Sequence, residues 1–148
     1  MTRFVIIAFV ILLGGSAWAG VTDGGGQSQP QASPDISFEP ASLDFGEQVA
    51  KQVSRPRRVT LTNSGQANLY INSVSLGGDN ATDFALAGDT CTGKTIAAGK
   101  SGVLDVVMTP TETGPRKAKV VVTCNAPGGT REIALTGSGI NSAAVPPR

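Results

Sequence analysis

Histidine is absent from this 148-residue chain. Its absence excludes Ser-His-Asp and Cys-His catalysis, and every zinc site built on imidazole. Aromatic residues make up 5% and charged residues 16%, with 12 Lys+Arg against 11 Asp+Glu. That balance lacks the basic stripe that nucleic acid requires. Long apolar runs are also lacking. The longest, Phe4 to Leu13, has ten residues, which is about 15 Å of helix against a hydrocarbon core of ~30 Å. What is plentiful is glycine (19) and proline (9), beside 40% hydrophobic residues. Many turns around a foldable core are therefore expected, in one domain with tails.

The ten-residue run follows Met1-Thr2-Arg3, which holds the only charge in the first 22 residues. Gly14-Gly15-Ser16 breaks it, and Ala17-Trp18-Ala19 offers small residues at the two positions of an A-x-A site. The pattern is that of a secretory signal peptide over residues 1–19, cut between Ala19 and Gly20. Cleavage removes Arg3, leaving 129 residues of net charge zero and no later segment that could span a membrane. A protein outside the cytoplasm, periplasmic or secreted, is expected. Residues 20–34 are glycine, polar residues and proline, a flexible linker. Residues 141–148 form a short disordered tail. The foldable body is 35–140, close to the ~100 residues of one immunoglobulin-like sandwich.

Within the body, apolar residues recur every second position. Ile36 and Phe38, Leu43 and Phe45, Val59 and Leu61, and Leu69 and Ile71 alternate with polar neighbours. Val74 and Leu76 resume one residue out of phase, so a β-bulge is expected near Asn72-Ser73. Phe84 and Leu86, Leu104 to Met108, Ala118 to Cys124, and Ile133 and Leu135 continue the pattern. Turn signals separate the runs at Asn63-Ser64-Gly65, Gly77-Gly78-Asp79, Pro110 to Pro115 and Ala126 to Gly129. Short alternating strands spaced like this predict an all-β, immunoglobulin-like antiparallel sandwich of seven to eight strands. A closed barrel fits the same periodicity. No 3.6-residue period of helical length interrupts it.

The order of motifs also carries a resemblance. Ile36 to Gly46, Val59 to Gly65, Leu69-Tyr-Ile, Asp83-Phe84, Thr109 to Arg116 and Ile133 to Gly139 occur in sequence. Together they resemble bacterial choice-of-anchor D domains, relatives of the abnormal-spindle/Hydin and major-sperm-protein immunoglobulin-like modules. The resemblance implies a sandwich used as a building block of extracytoplasmic proteins, with no enzymatic activity and no cofactor. The chain departs from it in holding one copy and no recognisable sorting signal.

Two cysteines in an exported chain are expected to pair. In the resembling family the first cysteine stands where Cys91 does, and its usual partner position is filled here by Gly102. Cys124 ends the following strand. The chain reverses between Met108 and Arg116, which brings residue 102 level with about residue 123. A Cys91–Cys124 disulfide is therefore expected. The alternatives are a redox-active pair or two buried thiols.

Other patterns are weaker. Gly88 to Thr95 fits the phosphate-loop expression G-x-x-x-x-G-K-[ST], but glycines and β alternation follow instead of the helix it needs. Arg55-Pro-Arg-Arg58 and Arg116-Lys-Ala-Lys119 place charges on outer strand faces, as contacts for acidic polymer or as protected edges. Asp79, Asp83 and Asp89 cluster in sequence and could bind Ca²⁺ weakly or act as glycosidase carboxylates, though turn formation is the better account. Asn80-Ala-Thr82 matches a glycosylation acceptor. Tyr70 alone of the mature residues could serve as an amphipathic aromatic anchor. The expected function is a non-catalytic structural, adhesive or protein-interaction module of the cell envelope. Its alternative is a polysaccharide-binding module using loops at one end. Neither metal, nucleotide nor nucleic acid is expected as a ligand.

Overall fold

The computed structural model describes residues 31–144. The expected signal peptide, its Ala19–Gly20 cleavage site and the greater part of the linker lie outside these residues. So does the end of the tail.

Alternation becomes strand where sequence reading places it. β1 (Ile36–Glu39), β2 (Ser42–Val49), β3 (Arg57–Asn63), β4 (Leu69–Gly77), β5 (Phe84–Asp89), β7 (Ser101–Met108), β8 (Gly114–Cys124) and β9 (Thr130–Ile140) match the alternating runs. One more, β6 (Thr95–Ile96), is only two residues long and shows no period to read. The strands form two sheets, ordered β1-β3-β7-β5 and β2-β9-β8-β4-β6. Pairing is antiparallel throughout except between β2 and β9, which run parallel. Only β8 and β9 are chain neighbours in one sheet, so every other connection crosses the sandwich. The break at Pro40 is the first such crossing.

The inward positions supply the core. Val59, Leu61, Leu104 and Val106 from one sheet face Leu69, Ile71, Val120, Val122, Ile133 and Leu135 from the other, all at zero exposure. Each contributes about 1.5–3 kcal/mol of transfer free energy. The phase change in β4 is a register shift between Ile71 and Ser73, the expected bulge. It lets Leu69 and Ile71 point inward, and then Val74 and Leu76 pack against the same core. In the last strand, a Cβ at Gly139 would run into the backbone oxygen of Glu112. Only glycine lets β9 pass that close beneath the β7–β8 connection.

Candidate functional site

The clearest polar construction in the fold joins two segments that sequence reading treats separately. Asp83 ends a short 3-10 turn after β4 and is 2% exposed. Its carboxylate accepts the Thr111 hydroxyl at 3.0 Å and the Thr111 N–H at 3.3 Å, while its carbonyl accepts the Thr109 N–H at 2.7 Å. Arg116 Nε lies 3.3 Å from Asp83 Oδ2. That N–H is not aimed at the oxygen and has no hydrogen-bond partner among the described residues, so the attraction is coulombic. Arg116 also donates to the Thr113 carbonyl at 3.1 Å. The outer-face placement of Arg116 is thus corrected. It lies in phase with Ala118 and Val120 on the inner face of β8, 9% exposed. An inward arginine is held there because a buried carboxylate meets it.

The carboxylate cluster is corrected as well. Asp79 is exposed and Asp83 buried, while Asp89 stands at the far end of β5, about 20 Å along the chain. No group of three or more His, Cys, Asp or Glu among the described residues is arranged to hold a metal ion. Asn80 docks on β8, its side-chain oxygen accepting the Lys117 N–H at 2.9 Å.

The phosphate-loop resemblance dissolves on inspection of its donors. The Asp89 carboxylate accepts the N–H of Cys91 at 2.7 Å and of Thr92 at 3.0 Å, together with the Thr92 hydroxyl. The N–H groups of Thr90, Gly93 and Lys94 go to carbonyls of Val103, Ile71 and Cys91. Every amide of residues 90–94 is thereby occupied, and a strand, not a helix, follows. Burial of Asp89 alone would raise its pKa, but the hydrogen bonds from Thr92 and Cys91 prevail and hold it below the usual carboxylate value. A lowered folded pKa stabilises above the unfolded value of ~4 and is lost as pH falls through the folded one. The amides of Cys91 and Thr92 should therefore lose hydrogen-exchange protection in acid before the core amides do. Protection of those two amides that follows the core at every pH would contradict this.

Cys91 and Cys124 are both buried and both free thiols here. They flank one residue of β4. Cys124 pairs with Ile71 from β8, and Ile71 bonds Gly93 and Lys94 of the Cys91 turn on its other side. Gly102 lies under Cys91, where a Cβ would fall 2.5 Å from the sulfur. Burial first, and then the Asp89 charge, push the Cys91 thiol pKa up, against opposing hydrogen bonds from Thr90.

Sequence reading missed Asn63, which it treats as a turn residue. Asn63 is fully buried, donating to the carbonyls of Ala67 at 2.7 Å and Ile96 at 2.8 Å, and accepting the Gly65 N–H at 3.0 Å. The same corner takes in Ser33, whose carbonyl accepts the Gln66 N–H at 2.9 Å. An Asn-Ser-Gly turn directly after an alternating strand was the available signal.

Of the basic residues, Arg58 forms a two-point pair with Asp105 at 2.8 and 3.0 Å, and Lys119 pairs with Glu132 at 2.6 Å. Arg55 and Arg57 instead line a cleft of about 540 Å³ with Phe45, Gln48, Ser54 and Pro56. Tyr70, on β4, is 44% exposed, and its N–H donates to the Asn125 side-chain oxygen at 2.7 Å.

The four outer strands differ in how their free sides are guarded. β1 is short and ends at Glu39-Pro40, β2 carries Asp44, Glu47 and a register shift, and β5 carries Asp89 and another shift. β6 covers only Leu69 and Tyr70 of β4. Beyond the Cys91 turn, Asn72-Ser-Val-Ser-Leu-Gly77 has no strand partner on that side among the described residues, and it contains neither charge nor proline.

No curated protein matches this sequence. Among solved structures, the fold is similar to PapD-like domain 7 of human CEP192, with a TM-score of 0.55 at 12% identity, covering 85% of this chain and 99% of that one. It is similar to the secreted serine protease VesC of Vibrio cholerae, with a TM-score of 0.55 at 20% identity, covering 74% of this chain but only 23% of the protease. The YadV chaperone gives 0.52 at 16% identity, over 76% of this chain and 55% of that one. These likenesses show an immunoglobulin-like sandwich fold. Of the expected resemblance only the immunoglobulin-like fold is shown, for the sequence match falls on another family than the choice-of-anchor D domains. Residues 36–138 fit the family described as protein of unknown function DUF1573, and the chain belongs to that family.

Proposed function

We propose that the mature chain is a non-catalytic, extracytoplasmic module of the bacterial cell envelope that binds a protein partner by accepting an extended strand along β4. The observation that carries this reading is the open, uncharged edge at Asn72–Gly77. Unpaired backbone donors and acceptors along the edge that follows the Ile71–Ser73 bulge are a template for another strand, and proteins that must avoid such pairing guard it with charge, proline or a covering segment. The other three outer strands have those guards. The half-buried Val74, Leu76 and Leu86 would receive alternating apolar side chains from the added strand. Export rests on the N-terminal pattern of residues 1–19, and the name of YadV, a chaperone, agrees with a protein-binding use of this fold. The reading also carries the Cys91–Cys124 disulfide, since both thiols are buried beside Ile71 and an exported chain meets oxidant.

A partner captured from envelope extract should slow exchange of the Asn72–Gly77 amides that do not bond to β8. Ser75→Lys should abolish that protection while changing stability by less than about 0.5 kcal/mol, as surface substitutions do. Ala85→Lys on the β5 edge should leave it intact. Protection confined to other strands, or unchanged by Ser75→Lys, would refute strand addition at β4.

A further inference from the structure

We infer that the loop joining β2 to β3 is a contact site for the phosphate headgroups of an anionic lipid surface, independent of the β4 edge. The sequence there reads Ala50-Lys-Gln-Val-Ser-Arg-Pro-Arg-Arg58. Arg58 is taken by Asp105, but Lys51, Arg55 and Arg57 have no carboxylate within ion-pair distance among the described residues. With 12 basic and 11 acidic residues in the whole chain, three uncompensated cations within seven residues, Lys51 and Arg55 in the loop and Arg57 opening β3, are a local field and not a reflection of overall charge.

The loop is held in place to present them. Lys51 N–H donates to the Pro110 carbonyl at 2.7 Å, and Ser54 N–H to the Met108 carbonyl at 2.8 Å. The Ser54 hydroxyl accepts the Met108 N–H at 2.9 Å. Arg57 sits with its guanidinium carbon 5.8 Å from the centroid of Phe45, which is itself braced edge-on against Phe84 at 5.6 Å. Arg55 and Arg57 thus converge on one cleft, open to solvent, of about 540 Å³. Guanidinium forks match phosphate oxygens two at a time.

Val53 decides between a lipid surface and a soluble phosphate. It lies in the same loop and is 62% exposed, the more exposed of the two large hydrophobic residues that stand out among the described residues. A soluble anion would leave it bare. At a bilayer, an exposed apolar side chain flanked by cations buries in the headgroup zone while the cations meet phosphate. Each such cation strengthens attachment about fivefold at moderate salt.

Cosedimentation of the mature chain with phosphatidylglycerol/phosphatidylethanolamine vesicles tests this against neutral phosphatidylcholine vesicles. Affinity for the anionic vesicles should be at least about tenfold higher and should fall steeply between low and high salt. Arg55→Glu should weaken it by about tenfold or more, as should Lys51→Glu, which leaves the Arg57–Phe45 contact untouched. Val53→Ser should weaken it severalfold, and Lys100→Glu, at the other end of the domain, should not. Equal binding to neutral vesicles, or binding unmoved by both charge reversals, would overturn the inference. So would protection by inorganic phosphate of an Arg55-dependent site without vesicle binding.

Discussion

Replacing Asp83 with alanine is expected to destabilise the domain by about 3–5 kcal/mol, because it leaves a buried guanidinium with only the exposed Glu112 carboxylate, 3.7 Å away, to face it. Both partners are withdrawn from water, with side-chain exposures of 2% for Asp83 and 10% for Arg116, so solvent screening does little to soften the loss. The carboxylate also serves Thr111, and its loss frees the Pro110–Thr113 connection from the turn before β5. For a domain of this size the melting temperature should fall by of order 15–30 °C. Thermal or urea unfolding of Asp83→Ala measures it directly. Asp83→Leu combined with Arg116→Met replaces the pair by apolar groups and should recover much of the loss, since an ion pair is worth little more than well-packed hydrocarbon. A single alanine variant within about 1 kcal/mol of the parent would show that the pair holds nothing together.

Oxidising Cys91 and Cys124 to a disulfide is expected to add about 3–4 kcal/mol, by closing a loop of 33 residues in the unfolded chain. Protein recovered from the periplasm or medium should lack alkylatable thiols and have lost two hydrogens by mass, and reductant should lower its melting temperature. After reduction, Cys91 should alkylate only on unfolding, because burial keeps its thiol protonated. Gly102→Cys gives an internal control. Its sulfur would arise beside that of Cys91, divert the bridge and leave Cys124 open to alkylation. Two reactive thiols in exported wild-type protein, or a melting temperature indifferent to reductant, would rule the bridge out.

Much of the framework was legible because side-chain alternation is a local property. Val59 and Leu61, or Val120 and Val122, declare their inward face by period two alone, and the slip between Ile71 and Val74 declares a bulge. β6 escaped notice because two residues cannot display a period. Arg116 was placed on the wrong face for a different reason. Charge argues for solvent unless a buried partner exists, and Asp83 is 33 positions away in the chain. Asn63 likewise looked like a turn former because its partners at Ala67 and Ile96 are brought together only by folding.

The sequence by itself determined the all-β class, the positions of the strands long enough to show alternation, and the exclusion of imidazole chemistry. Each follows from composition or from neighbours within a few residues. Tertiary structure alone decided which strands lie together, including the parallel pairing of β2 with β9. It also decided that carbonyls of Val103 and Ile71, on other strands, take up the Thr90 and Gly93 amides of the phosphate-loop-like segment, and that β4 keeps an open side while Arg55 and Arg57 share a cleft. Those features depend on contacts between residues distant in the chain, which no local pattern encodes.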